Sequence, residues 1–293
     1  MTLIAEEPTD RRSATAPAAD AVMARAATEN FSVASRMLPR RERAHLLAIY
    51  GFARLADELG DAVSGDRLAA LDWLEEDLDR AFAGHARHPL LLRLQATLSD
   101  CGLPREPFLR LIEANRVDQR VSRYRTWEEL RGYCALSADP VGELVLGVFG
   151  AATPGRIALS DSICTALQLA EHCQDVAEDL SAGRLYLPLE DLERFGVRIE
   201  DLGAGHAGGP VRELLAFEVA RARGLLDAGA PLIGELHGRA RLGVAAFSSG
   251  GRAALEAIER AGYDVLAGPP TATRSRRLVA LARTLAAARG GAP

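Results

Sequence analysis

The sequence predicts an all-α fold, a single compact helical bundle, on three observations. Apolar residues recur at spacings of three and four, as at Leu46, Ile49, Phe52, Ala53 and Ala56, which puts them on one helix face. Leu, Ala, Arg and Glu greatly outnumber the strand-favouring Val, Ile and Thr. No internal repeat of solenoid period is present, so the helices must bury their faces against one another. A hydrophobic fraction of 48% in 293 residues is ample for such a core.

Taken in order, the chain opens with Met1 to Asp20, rich in Ala, Thr, Pro and Ser, which reads as a flexible tail (1–20) ahead of one helical domain (21–293). The tail lacks the basic start and unbroken apolar run of a secretory signal. Pro39 and the Arg-Arg-Glu run after it open a long helix that Ser64-Gly65 closes. Thr126 with Glu129 forms a capping-box pattern, and Asp139-Pro140 breaks or kinks a helix, because proline removes a donor and crowds the preceding turn. Pro154 suits the first turn of a helix running through Asp179. The stretch "GAGHAGGP", Gly203 to Pro210, is a loop within the domain. The C-terminal run has Arg274, Arg276, Arg277, Arg283 and Arg289 with Leu278, Leu281 and Leu285 at helical spacing. It reads as a solvated terminal helix, with contact to an anionic membrane surface as the alternative.

A formal charge of -5 and a pI near 5.8 argue against nucleic-acid binding. The best apolar run, "ELVLGVFGAA", is too short to span a bilayer and begins at a carboxylate. Cys101, Cys134, Cys164 and Cys173 have neither zinc spacing nor a disulfide framework, as expected of packing cysteines in a cytoplasmic protein.

Two acidic pairs break this pattern. In "GFARLADELGDA", Asp57 and Asp61 stand four apart; in "EHCQDVAEDLSAGRLYLP", Asp175 and Asp179 repeat the spacing, with Glu178 beside them and Glu171 one turn earlier. Residues four apart share a helix face, so each pair sets like charges side by side, mildly destabilising when unaided. Either pair alone reads as part of a solvated face. Both adjoin apolar stretches, however, and helices facing across a bundle bring them to one cavity. Carboxylates there call for cations: Mg²⁺ takes hard oxygen ligands and is typically shared between one or two carboxylates and substrate phosphates. That arrangement suits ionisation of an allylic or related diphosphate inside an apolar wall. Tyr50 and Arg54, on the helix of the first pair, add donors to the diphosphate.

The stretches "YGFARLADELGD", "LRGYCALSADPVGELVL" and "LQLAEHCQDVAEDLSAGRLYLP" resemble the trans-isoprenyl diphosphate synthases of the squalene and phytoene synthase type, from about Thr28 to at least Asp264. The resemblance implies a helical isoprenoid synthase fold with a central cavity, in which Asp57, Asp61, Asp175 and Asp179 hold Mg²⁺ around the diphosphate. It further implies diphosphate contacts for Tyr50 and Arg54, a cavity-lining role for Gln168, and places near the pocket for Tyr133, Arg184 and Tyr186. A packed core tyrosine is as good a reading of Tyr133 and Tyr186.

Three departures stand out. "ATENF", Ala27 to Phe31, replaces the family's His-Ser-x-Ser-Phe. Glu171 replaces an asparagine and stays eligible as a metal ligand, and Gln174 replaces an arginine. With "ENFSVASRMLPRR" and "SADPVG", these look most like the hydroxysqualene synthase branch of a bacterial route to squalene and hopanoids. That likeness implies conversion of presqualene diphosphate to hydroxysqualene with Mg²⁺ and without NADPH, between an upstream presqualene diphosphate synthase and a downstream flavin-dependent reductase. No G-x-G-x-x-G follows a strand, so a Rossmann-type NADPH site is unsupported. The expected setting is the cytoplasm, with peripheral contact at the inner face of the membrane. The rival readings are a presqualene diphosphate, squalene or phytoene synthase acting on farnesyl diphosphate or another prenyl diphosphate, and a non-catalytic binding protein on the same fold. His172, beside the second pair, reads as a packed or surface residue.

Overall fold

The computed structural model describes residues 17–24, 38–62 and 65–290. The stretch Ala27 to Phe31 and Ser64 lie outside them. The described helices are α1 (Ala19–Ala24), α2 (Arg40–Asp61), α3 (Arg67–Phe82), α4 (Pro89–Cys101), α5 (Glu106–Asp118), α6 (Trp127–Ser137) and α7 (Asp139–Val148). Then follow α8 (Pro154–Gln174), α9 (Val176–Ser181), α10 (Leu189–Arg194), a 3-10 turn (Ile199–Gly203), α11 (Gly209–Gly229), α12 (Pro231–Glu235), α13 (Gly238–Arg260) and α14 (Arg274–Gly290). Among the described residues the only extended pairing is an isolated bridge between Arg123 and Leu185. All four cysteines are free thiols.

Local signals act where the sequence places them. Thr126 accepts a hydrogen bond from the Glu129 amide and caps α6. The α6–α7 break falls at Ala138, with Pro140 in the first turn of α7, where its missing donor costs nothing. Gly65, at φ 111°, serves the turn after α2, and the stretch after Gly203 leads as a loop into α11.

Two expectations need correction. The helix from Pro154 does not run unbroken through Asp179: Asp175 leaves helical geometry at φ -102°, ψ 15°, separating α8 from α9. The bend meets a tertiary demand, because the segment after α9 is tied to the α5–α6 loop by Leu185 N–H to the Ser122 carbonyl (2.8 Å) and Leu189 N–H to the Tyr124 carbonyl (2.9 Å). And α14 is solvated on its outer face only. Ala280 and Thr284 are buried, and Leu281 and Leu285 pack on the core, while Leu278 and Val279 face outward. The first described helix, α1, begins at Ala19, and its Val22 is buried.

Two large apolar cores form among the described residues, and each fully buried Leu, Ile or Phe in them contributes roughly 1.5–3 kcal/mol. One gathers Phe52, Leu55, Leu74, Leu91 and Phe108 from α2 to α5, with Phe52 and Phe108 edge to face at 5.1 Å. The other gathers Leu130, Ile163, Leu169, Leu215 and Ile258 from α6 to α13. Helix α5 serves both, sending Leu111 to the first and Ala114 to the second. The seam it bridges is where polar groups collect.

Close helix approach is paid for with glycine where α11 meets α8: a Cβ at Gly229 would lie 2.5 Å from Ile163 Cγ1 and 2.7 Å from the Leu159 carbonyl oxygen. Gly229→Ala is therefore expected to destabilise by about 1–3 kcal/mol through overpacking. Gly224→Ala, on the same helix with open space around it, should stabilise by about 0.5–1 kcal/mol. Opposite shifts of the denaturant midpoint would check both.

Candidate active site

The seam holds a cleft of about 210 Å³. Helix α2 supplies Asp57 and Asp61, and α5 supplies Leu111, Ala114, Asn115 and Asp118. Tyr133 and Ser137 come from α6, and Gln168, Glu171 and His172 from α8. Asp175 stands at the bend, Asp179 on α9, and Arg184 and Tyr186 on the segment after it. The two acidic pairs, more than a hundred residues apart in sequence, thus share one cleft with Tyr133, Gln168, Glu171, Arg184 and Tyr186.

Tyr50 and Arg54 are on the expected helix, on the side that carries Asp57 and Asp61, but do not line the described cleft. Arg54 reaches Asp57 and Glu58 only at 3.8 and 3.9 Å, and its Nε is buried with no hydrogen-bond partner among the described residues. Gln174 is absent from the lining as well. Its Nε2 donates to the Pro270 carbonyl at 2.5 Å, so it ties down the α13–α14 loop.

Negative charge outweighs positive charge here. Burial pushes the Asp57 carboxyl up to about 6, against Asn115 and Arg54, which favour the ionised form, and with Asp61 and Asp118 adding repulsion. The Asp57 side chain keeps 48% of its surface open toward solvent, so protein encloses this group without sealing it. Asp118 is likewise pushed up to about 6, chiefly by burial. Asp179 rises to about 7 through burial and then through Asp175 and Glu178, and Asp175 is raised by burial and Glu178. Arg184 is the basic residue in the lining, and its Nη2 donates to Asp61 Oδ1 at 2.5 Å.

Sequence reasoning missed four polar members. Asn115 donates to Asp57 Oδ1 at 3.3 Å and to the Leu111 carbonyl at 3.1 Å. Asp118 accepts from two tyrosines. Ser137, at the helix break, has a buried Oγ without a hydrogen-bond partner among the described residues. His172 is packed, as expected, but it also lines the cleft, stacked on Tyr186 with centroids 4.1 Å apart; burial lowers its pKa to about 3 and keeps it neutral. A signal existed for α5: Leu111, Ala114, Asn115 and Asp118 fall at i, i+3, i+4 and i+7, two polar residues continuing an apolar stripe.

The donor set suits a hard cation, being carboxylate oxygens gathered in one cleft, with Asp57, Asp118 and Asp179 raised chiefly by burial. Among the described residues no three such groups converge on one point. A metal would therefore be shared between one or two carboxylates and the oxygens of a phosphate.

A helical bundle with an acid-lined cleft at the seam of two cores is the class defined so far. The family model for squalene/phytoene synthase matches residues 24–282. A hydroxysqualene synthase of Rhodopseudomonas palustris is 36% identical over 212 residues, covering 71% of each chain. A phytoene synthase of Arthrospira platensis is 35% identical over 256 residues, covering 81% of this chain and 82% of that one. The crystal structure of squalene synthase HpnC from Alicyclobacillus acidocaldarius is 50% identical, with a TM-score of 0.78 over 84% of this chain and 93% of that one. The chain belongs to the squalene/phytoene synthase family, whose members are isoprenoid-processing enzymes that bind prenyl diphosphates.

The raised Asp179 pKa has a consequence for stability. Between 3.8 and about 7 the folded chain holds a proton there that the unfolded chain releases, so the associated stabilisation is complete at low pH and lost as pH rises through about 7. Without divalent cations, Asp179→Asn should raise stability by an amount that grows with pH and reaches about 1–3 kcal/mol above neutrality. Thermal melts of both proteins from pH 4 to 8 measure it, and added Mg²⁺ should shrink the difference.

Proposed function

We propose that this protein converts presqualene diphosphate to hydroxysqualene, with Mg²⁺ and without NADPH. The observation that carries the reading is the joining of both acidic pairs in one cleft with a single basic residue in its lining. The "SADPVG" stretch and the hydroxysqualene synthase relative support this branch.

In this reading Asp57, Asp61, Glu171, Asp175 and Asp179 hold Mg²⁺, which supplies the positive charge that lets diphosphate leave. Arg184 and Arg54 donate to diphosphate oxygens, joined by Tyr50 from α2. Leu111 and Ala114 form the apolar floor that keeps bulk water from the cation left behind. The cyclopropylcarbinyl cation rearranges there, and one admitted water adds its oxygen and loses a proton. Tyr133, Tyr186 and Gln168 shape the wall. The presqualene diphosphate comes from an upstream synthase, and a flavin-dependent reductase removes the product's hydroxyl.

Among the described residues no helix is long and apolar enough to cross a membrane. Leu278, 65% exposed, and Val279 lie on α14 with exposed Arg274, Arg276 and Arg283. Together they form a patch for peripheral contact with an anionic inner membrane face. Co-sedimentation with anionic vesicles, weakened by Leu278→Glu, is the expected result.

The main test incubates purified protein with Mg²⁺ and presqualene diphosphate, without NADPH, and identifies the lipid by mass spectrometry. Hydroxysqualene is expected. Presqualene diphosphate formed from farnesyl diphosphate would instead place the protein one step upstream, phytoene from geranylgeranyl diphosphate would place it with the phytoene synthases, and no product from any of them would favour a binding protein. Asp57→Asn and Asp175→Asn should each abolish turnover while the circular dichroism spectrum stays that of the wild type. Retained activity in either would remove that residue from the metal site.

A further inference from the structure

Asp118, like Glu171, is an acidic group of the cleft that belongs to neither pair, and it is the one whose oxygens are taken up by tyrosines. It ends α5, and its two oxygens are engaged by different phenols: Tyr133 donates to Oδ2 at 2.8 Å and Tyr186 to Oδ1 at 3.2 Å. Tyr133 comes from α6 and Tyr186 from the segment after α9, so one carboxylate joins elements distant in sequence.

The rings so held form a continuous wall. Tyr133 and Tyr186 stack with centroids 5.5 Å apart at 26°, and Tyr186 lies on neutral His172 at 4.1 Å and 10°. Tyr124 backs both, at 5.3 and 6.0 Å. Burial pushes both cleft phenols well above the usual tyrosine range, so each keeps its proton.

A phenol has one proton to donate and lone pairs that accept. Once that proton is committed to Asp118, the oxygen offers the cleft lone pairs alone, beside the negative face of its ring. A free hydroxyl would turn and present hydrogen to the substrate. Positive charge developing in a hydrocarbon is favoured by the first arrangement and opposed by the second.

We propose that Asp118 is a positioning residue: it holds the hydroxyl protons of Tyr133 and Tyr186, so that both phenols present a fixed, non-donating, electron-rich wall to the reacting substrate. The proposal rests on the prenyl diphosphate reading of the cleft and adds to it a residue outside both acidic pairs.

Asp118→Asn is the informative variant, because the amide keeps one acceptor and turns the other position into a donor. Diphosphate release is followed with whichever of presqualene and farnesyl diphosphate the wild type consumes. The wild-type product's identity tests the proposed function, whereas the ratio of variant to wild-type rates tests Asp118. The expected kcat loss is about 10²-fold, with KM within about threefold and affinity for inorganic diphosphate plus Mg²⁺ unchanged. On a Tyr133→Phe, Tyr186→Phe background, where nothing is left to hold, Asp118→Asn should change kcat by less than about twofold.

A folded Asp118→Asn protein with wild-type kcat would overturn the proposal. So would a loss of Mg²⁺-diphosphate affinity matching the loss of kcat, which would make Asp118 a metal ligand, and so would a wild type that releases diphosphate from neither substrate. Should Asp118→Asn fail to fold, the double phenylalanine variant carries the test, with the same split of kcat from KM expected and an unchanged kcat overturning the proposal.

Discussion

The constraint on which this structure depends is an uncompensated negative charge held at the seam of two apolar cores. Asp57, Asp61, Asp118, Glu171, Asp175 and Asp179 line one cleft, and Arg184 is the single basic residue among its lining residues. Enclosing these groups is destabilising: burial first, with repulsion from neighbouring carboxylates added, pushes Asp57 and Asp118 up to about 6 and Asp179 up to about 7. The bundle tolerates it because apolar burial on either side supplies the stability that the seam lacks. An incoming ligand with cations and a phosphate would relieve a strain that is already present.

The supporting structure can be followed outward from that seam. Helix α5 belongs to both cores, so Asn115 and Asp118 are held from two sides. Asn115 steadies Asp57, and Asp118 joins Tyr133 to Tyr186. Arg184 draws the segment after α9 onto Asp61, while backbone bonds from Leu185 and Leu189 to the α5–α6 loop fix the same segment. The bend at Asp175 belongs to this arrangement, since it turns α9 and the following residues back across the cleft.

Gln174 shows how far one substitution can be understood from sequence. As a replacement for a family arginine beside Asp175, it reads as a lost positive charge. In the fold its amide is occupied by the Pro270 carbonyl, so the position has also acquired a structural task. Glu171 keeps its place in the lining, where a carboxylate is a better ligand for a hard cation than an amide.

The all-α class, the α6 cap, the break at Asp139-Pro140 and the two acidic pairs were legible in the chain alone, because each depends on residues within a turn or two of one another: periodicity, capping and proline sterics are local. The tertiary structure decided what is not local. It set which tyrosine meets which carboxylate, brought Asn115, Asp118 and Ser137 into the cleft, bent the second acidic helix, seated α14 on the core, and left Tyr50 and Arg54 outside the described lining. Those outcomes depend on packing between helices tens of residues apart, where direction and distance are fixed by cores that no short stretch of sequence contains.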